Sequence, residues 1–280
     1  MSSRGAKVSC PPAVPHAKAL FPGQSNRTYP VDHQIAPPET RVEYVRGVEV
    51  FAAPAKEPHA NAHSRINHVI QASVKAPYEV AIDMLTRVNA ASDFAPDVSV
   101  YEPIFDAKTG KKTGRKLEEI AFEVVDRQSQ RVPTIKAIDL VRRGVRRVFC
   151  LVVKDQQICE WSASLGRWEP FGPNDVITDP CFVRPIRAEA LLNSILADDE
   201  VARALLLKKP PAIVAAIEEG REEGELAAKA EAVVQVLEAR GLTVPDHVRA
   251  QILGTRDAEK LHRWIKDSVH VSKASDILKK

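Results

Sequence analysis

The sequence predicts an α/β (α+β) body, a sheet covered by helices, followed by a C-terminal helical tail. Three observations predict it. The run Val148-Phe149-Cys150-Leu151-Val152-Val153 is apolar at every position, as a strand covered on both faces must be. Stretches of helical period are interleaved with short β-branched runs on either side of it, the pattern of helices packed on a sheet. After Pro210-Pro211 the chain turns to Ala, Glu and Lys with no strand signal. The expected divisions are a disordered N-terminal segment at 1–38, the sheet-bearing domain at 39–207 and the tail at 208–280.

The elements follow in order. Residues 1–38 hold Pro11, Pro12, Pro15, Pro22, Pro30, Pro37 and Pro38 without periodicity, too little apolar surface to offset ordering entropy. Val42 to Phe51 alternates as a strand pair or a bent strand around Gly47. His59 to Ser73 and Pro77 to Ala91 read as one helix broken near Pro77 or as two helices, on the spacing of Ile66, Val69, Ile70 and of Val80, Ala81, Leu85, Val88. Pro96 to Tyr101 is a strand. A basic turn from Asp106 to Lys116 leads into a strand at Leu117–Val125. Thr134 caps a helix at Ile135–Arg143 that Gly144 ends. Gln157 to Ala163 and Arg167 to Phe171 are meander strands. Ala188 to Leu207 is a helix with Leu191, Leu192, Ile195 and Leu196 on its apolar face. In the tail, Ala212–Arg240 is a long charged helix, and Pro245–Leu253 and Ala258–Ser268 are two shorter ones joined at Gly254.

Bulk properties narrow the class. At 280 residues, 44% hydrophobic and 28% charged, the chain buries a core, and a net charge of +3 is too small for a polyanion binder at large. No apolar run approaches the roughly 18 residues of a membrane span, and the N-terminus has no apolar signal segment, so the expected location is cytoplasmic with no membrane partner. Cys10, Cys150, Cys159 and Cys181 have no C-x-x-C spacing and read as reduced thiols.

Polar residues in apolar settings locate the candidate site. Asp97 heads an apolar strand, and Glu123 stands inside Ile120-Ala121-Phe122-Glu123-Val124-Val125. A lone carboxylate among β-branched residues is costly to bury unless it is paired or binds a metal. Lys136 lies on the next helix and Glu43 heads the first strand pair. Asp97 and Glu123 on neighbouring strands, with a lysine beside them, would make a divalent-metal site. His59 and His63 are four residues apart, yet with His68 they read as surface or capping positions. The arginines at 142–147 read as a solvated face.

The order Glu43 strand, helix, Pro96-Asp97 strand, Phe122-Glu123-Val124-Val125 strand, Lys136 helix, Gly144-Val145, apolar strand resembles the Uma-type restriction endonucleases. That family is a branch of the PD-(D/E)XK nuclease superfamily, and the resemblance spans roughly residues 40–195. Most of the superfamily places its lysine two residues after the glutamate, where Val125 stands here; the Uma-type branch is similar to this chain in placing it on the following helix. Pro133, Leu140, Asp126 and Arg146-Arg147-Val148-Phe149 depart from the family pattern. The resemblance implies a restriction-endonuclease-like fold with a mixed central sheet flanked by helices, a Mg (or Mn) cofactor and a DNA substrate. It implies catalytic roles for Glu43, Asp97, Glu123 and Lys136, with Asp97 and Glu123 as metal ligands.

Lys108, Lys111, Lys112, Arg115 and Lys116 form a basic loop suited to gripping a nucleic-acid backbone without reading bases. The first functional reading is therefore a metal-dependent endonuclease hydrolysing DNA phosphodiester bonds. The second is a catalytically silent nuclease-like fold that binds or assembles, as a homo-oligomer through its core or coiled-coil-like tail.

Overall fold

The computed structural model describes residue 35 and residues 42–50, 56–126 and 130–279; the segment 1–38, Ile35 apart, lies outside the described residues. The chain divides into two compact units, one running to Lys208 and the other from Lys209 to Lys280.

In the first unit, β1 (Glu43–Val45) and β2 (Val48–Val50) form a hairpin. Its two turn residues, Arg46 and Gly47, have φ of 53° and 78°, the pair of positive values that a two-residue turn matched to strand twist requires. α1 (Glu57–Ser73) carries a proline in its first turn, where no helical donor is lost. It buries Ala62, Ile66, Val69 and Ile70 as one stripe.

The helix expected over Pro77–Ala91 is instead two strands, β3 (Glu79–Ile82) and β4 (Thr86–Asn89). Val80, Leu85 and Val88 fit a helical period only by coincidence of spacing; β-branched Val80, Ile82, Thr86 and Val88 fit a pleat, and long-range partners decide it. β3 pairs with β6 (Val98–Tyr101), and β4 pairs with β5 (Ser92–Phe94). A separate hairpin of β7 (Pro103–Phe105) and β8 (Lys112–Arg115) follows β6. Next come β9 (Ile120–Val125), α2 (Arg131–Arg143), β10 (Arg147–Val152), β11 (Gln157–Ser162) and β12 (Arg167–Pro170), then the short pair β13 (Val176–Ile177) and β14 (Ile186–Arg187).

The main sheet runs β12-β11-β10-β9-β6-β3, and a smaller one runs β2-β1-β5-β4. Only β9 and β10 are parallel in the main sheet, with α2 as their crossover. On one face Val98, Val100, Ile120, Phe122, Val124, Phe149 and Leu151 pack with the α1 stripe. On the other, Ala121 and Val148 pack with Ala137, Ile138 and Leu140 of α2 and with Val45, Val88 and Phe94 of the smaller sheet. Strand alternation puts Glu123 on this second face with Ala121.

Two local expectations are corrected. α2 begins at Arg131, so Thr134 lies in its first turn, its hydroxyl donating to the Gln130 carbonyl at 2.6 Å rather than capping the helix. The helix expected over Ala188–Leu207 is a 3-10 turn (Ala188–Leu191) followed by α3 (Ser194–Lys208). Leu191 is buried but Ile195 is 78% exposed; α3 buries Ala197, Glu200 and Ala204 instead. Cys150, Cys159 and Cys181 are free and buried.

The second unit is helical: α4 (Pro211–Ala239), α5 (Asp246–Leu253) and α6 (Ala258–Asp267). Val233, Val234, Leu237, Val248, Ile252, Leu261, Trp264 and Ile277 form its core. Val214 and Ile217, early in α4, are exposed. No helix among the described residues is long and apolar enough to cross a membrane.

Candidate active site

β6 and β9 are antiparallel, with Val98 opposite Phe122. One step beyond that pair, Asp97 stands across from Glu123, and residues directly opposite in such a ladder share a face. The Val124 N–H fixes Asp97 by donating to its Oδ2 at 2.5 Å. α2 crosses behind β9 and brings Lys136 against the same face. Its Nζ lies 3.6 Å from Glu123 Oε2 and 3.1 Å from Glu43 Oε2, and 5.3 Å from the centre of the Phe94 ring. Glu43 arrives from β1 and is held by the Ala95 N–H, which donates to its Oε1 at 2.9 Å. The structure therefore gathers Glu43, Asp97, Glu123 and Lys136 into one cluster from four separate elements.

A second contact between α2 and the β1–β2 hairpin sets this arrangement. Arg46 makes a bidentate ion pair with Asp139, at 3.0 and 2.8 Å, and the Asp139 side chain is fully buried. Asp139 lies one helical turn after Lys136, so the same face of α2 grips the hairpin twice, with opposite signs of charge. Neither Arg46 nor Asp139 was singled out from sequence. The available signal was an aspartate within the apolar stripe Ala137-Ile138-Leu140.

The electrostatics are unbalanced. Burial, above all, pushes the Glu123 carboxyl up to about 8; Lys136 counters this in part, while Asp97 and Glu43 add repulsion. Burial likewise raises Asp97, against the Val124 hydrogen bond and the nearby His63, His59 and Lys136. For Lys136 burial opposes the charge, but Glu123 and Glu43 outweigh it and its pKa is raised. Glu123 Oε1 is buried with no hydrogen-bond partner. A bare acceptor in an acid-rich cluster with a single lysine is the donor set a hard divalent cation satisfies, so Asp97 and Glu123 fit such an ion.

His59 and His63 prove to be partly buried against Asp97, which corrects their reading as surface or capping positions. They extend the buried stripe of α1 back by one and two turns and so meet the start of β6. His59 Nε2 is 3.8 Å from Asp97 Oδ1, and His63 Nε2 is 2.5 Å from the Asp97 carbonyl oxygen. One donor atom from each of His59, His63 and Asp97 lies within 4.8 Å of the others.

The basic loop is not brought to this place. β7 and β8 leave the far end of β6 from Asp97. Lys112 pairs with Glu79 at 2.6 Å, Lys116 with Glu102 at 2.8 Å, and Arg115 with the buried Glu118 at 3.1 Å. Lys108 and Lys111 are exposed and have no acidic partner among the described residues.

The mixed sheet thus carries two carboxylates on adjacent strands, with a lysine from the crossover helix beside them. The chain belongs to the Uma2 family, described as "Putative restriction endonuclease", whose profile matches residues 29–182, more than half of its length. Among solved structures it is similar to one described as a "putative nuclease belonging to DUF820" from Anabaena variabilis. The two are 19% identical with a TM-score of 0.48, and the match covers 57% of this chain and 94% of that one. No curated protein matches the chain.

Proposed function

We propose that the first unit is a metal-dependent endonuclease that hydrolyses DNA phosphodiester bonds, with Mg or Mn held by Asp97 and Glu123. The observation that carries this is the buried, unpartnered Glu123 Oε1 beside Lys136 and across the ladder from Asp97. An ion bound there would supply charge neutralisation for a phosphate and make a bound water more acidic.

The chain's own residues do the rest. Hydrolysis adds a water oxygen to phosphorus as the bond to the leaving oxygen breaks, and negative charge builds on the phosphate oxygens. Lys136, held in place by Glu43 and Glu123, offers a fixed positive charge to those oxygens without reorganising. Glu43, anchored by the Ala95 N–H, keeps the ammonium aimed and can accept a hydrogen bond from the attacking water. Lys108 and Lys111 are the members of the basic loop open to a DNA phosphate at a distance from the cluster.

Nicking of supercoiled plasmid in Mg and in Mn tests the reading, beside an EDTA control and an Asp97→Ala/Glu123→Ala double variant. Metal-dependent nicking that the double variant abolishes is expected. No nicking by the parent protein, or nicking undiminished in the double variant, would overturn it.

A further inference from the structure

We propose that His59, His63 and Asp97 form a binding position for one first-row transition-metal ion, one that prefers imidazole-binding ions such as Co, Ni or Zn to Mg. This deepens the nuclease reading, because Asp97 is shared with it, but the binding itself does not require cleavage.

The chemistry of the donors makes the case. Mg prefers oxygen ligands and sheds its waters reluctantly, whereas two imidazole nitrogens with one carboxylate suit transition ions. Bonds of about 2.0–2.2 Å space ligand atoms about 3–4 Å apart, and the 3.8 Å from His59 Nε2 to Asp97 Oδ1 lies within that span. The whole donor set closes within 4.8 Å, near enough for one ion to draw the three atoms together. The position is also built rather than incidental. His59 and His63 project from one face of a well-packed helix, their rings 6.2 Å apart between centres. Asp97 Oδ2 is committed to the Val124 N–H, which leaves Oδ1 turned toward His59. His63 Nε2 otherwise meets the Asp97 carbonyl; an ion there replaces the proton on Nε2, and the imidazole carries its proton on Nδ1.

The ion expected by the nuclease reading sits between Asp97 and Glu123. The histidines lie on the other side of Asp97, from the helix on the opposite face of the sheet. Asp97 is thus the residue through which the two positions communicate, and Glu123 is dispensable for the one proposed here.

The test is titration of metal-free, tag-free full-length chain with Co in a large excess of Mg, followed by the visible absorption of the bound ion and by equilibrium dialysis. One Co per chain with visible bands is expected for the parent protein and for Glu123→Gln. The His59→Gln/His63→Gln variant loses both, and His59→Gln alone, a milder change, binds at least about tenfold more weakly. Thermal melts of each variant in EDTA show that the fold survives. Co that Mg displaces, Co bound equally well by the histidine variants, or no stoichiometric binding would each overturn the proposal. Plasmid nicking in Mg, run on the same samples, separates the two readings. Histidine-dependent Co binding without any nicking would leave this inference standing and sink the nuclease. Nicking without histidine-dependent Co binding would do the reverse.

Discussion

At the start of β10, Arg146 and Arg147 enclose the buried carboxylate of Asp179, at 2.7 and 3.2 Å, and reach on to Glu119 and Glu160. At the far end of β9, Glu123 is buried as well, but one lysine serves three carboxylates. The consequences run in opposite directions. Burial opposes the charge of Asp179, yet the Arg146 guanidinium and the Cys181 N–H hold its carboxyl at about 2. Burial carries Glu123 up to about 8, because Lys136 is shared and Asp97 and Glu43 push the same way. Both oxygens of Asp179 accept hydrogen bonds, whereas Glu123 Oε1 accepts none. Desolvation weighs more heavily on Glu123, and the number of cations and donors differs as well; together they decide the outcome. The first cluster is complete as folded; the second is short of positive charge, as a site reserved for a ligand would be.

The contrast breaks most sharply at Lys136. Lys136→Met leaves the hydrophobic stem but removes the ammonium that faces Glu43 and Glu123, and cleavage per folded molecule is expected to fall about a thousandfold. Single-turnover nicking beside a melting curve reads this, and unaltered cleavage would place Lys136 outside the reaction. Asp179→Ala should do the converse. It removes the buried carboxylate that the two arginines share, leaving them Glu119 and Glu160, and is expected to cost about 3 kcal/mol of stability, measured by urea unfolding. The folded fraction should cleave at the parent rate; a selective loss of cleavage would erase the distinction between the clusters.

Next in size is a pH effect in EDTA. Glu123 has a folded pKa of about 8 against an ordinary 4.5, so its stabilising contribution is present below pH 4.5 and is lost as pH rises through about 8. Asp179 has a folded value of about 2 against 3.8, so its contribution is present above pH 3.8 and is lost as pH falls through about 2. Glu123→Gln is accordingly expected to be more stable than the parent by about 2 kcal/mol at pH 8, with the gap closing toward pH 4.5. Melting curves across that range check the slope, and a gap independent of pH would contradict the charge deficit. The smallest effect concerns the basic loop. Because Lys112, Arg115 and Lys116 already have acidic partners, Lys108→Ala/Lys111→Ala should weaken DNA binding by no more than about threefold and lower the salt slope by under two. A larger loss would bring the hairpin into the DNA interface.

What the sequence determined by itself was whatever rests on local chemistry. A fully apolar run marked β10 as a central strand, a glutamate inside an apolar run marked Glu123, and Pro210-Pro211 followed by an Ala/Glu/Lys composition marked the change to helices. The order of Glu43, Asp97, Glu123 and Lys136 was legible through the family resemblance, and of the four Glu123 alone stands inside an apolar run. Only the tertiary structure decided what depends on a distant partner. Residues 79–89 became strands because β6 and β5 were there to pair with them, against a spacing that suited a helix equally well. His59 and His63 had an ordinary helical spacing until α1 docked its N-terminal turns against the start of β6 and turned them onto Asp97. Arg46 and Asp139, 93 positions apart, had no local sign of their pairing. The sheet likewise sent the basic loop away from Asp97, since β6 must run its length before the chain turns. Periodicity and composition report which face of an element is buried; which side chains from different elements then meet is set by register and docking, and those are properties of the whole fold.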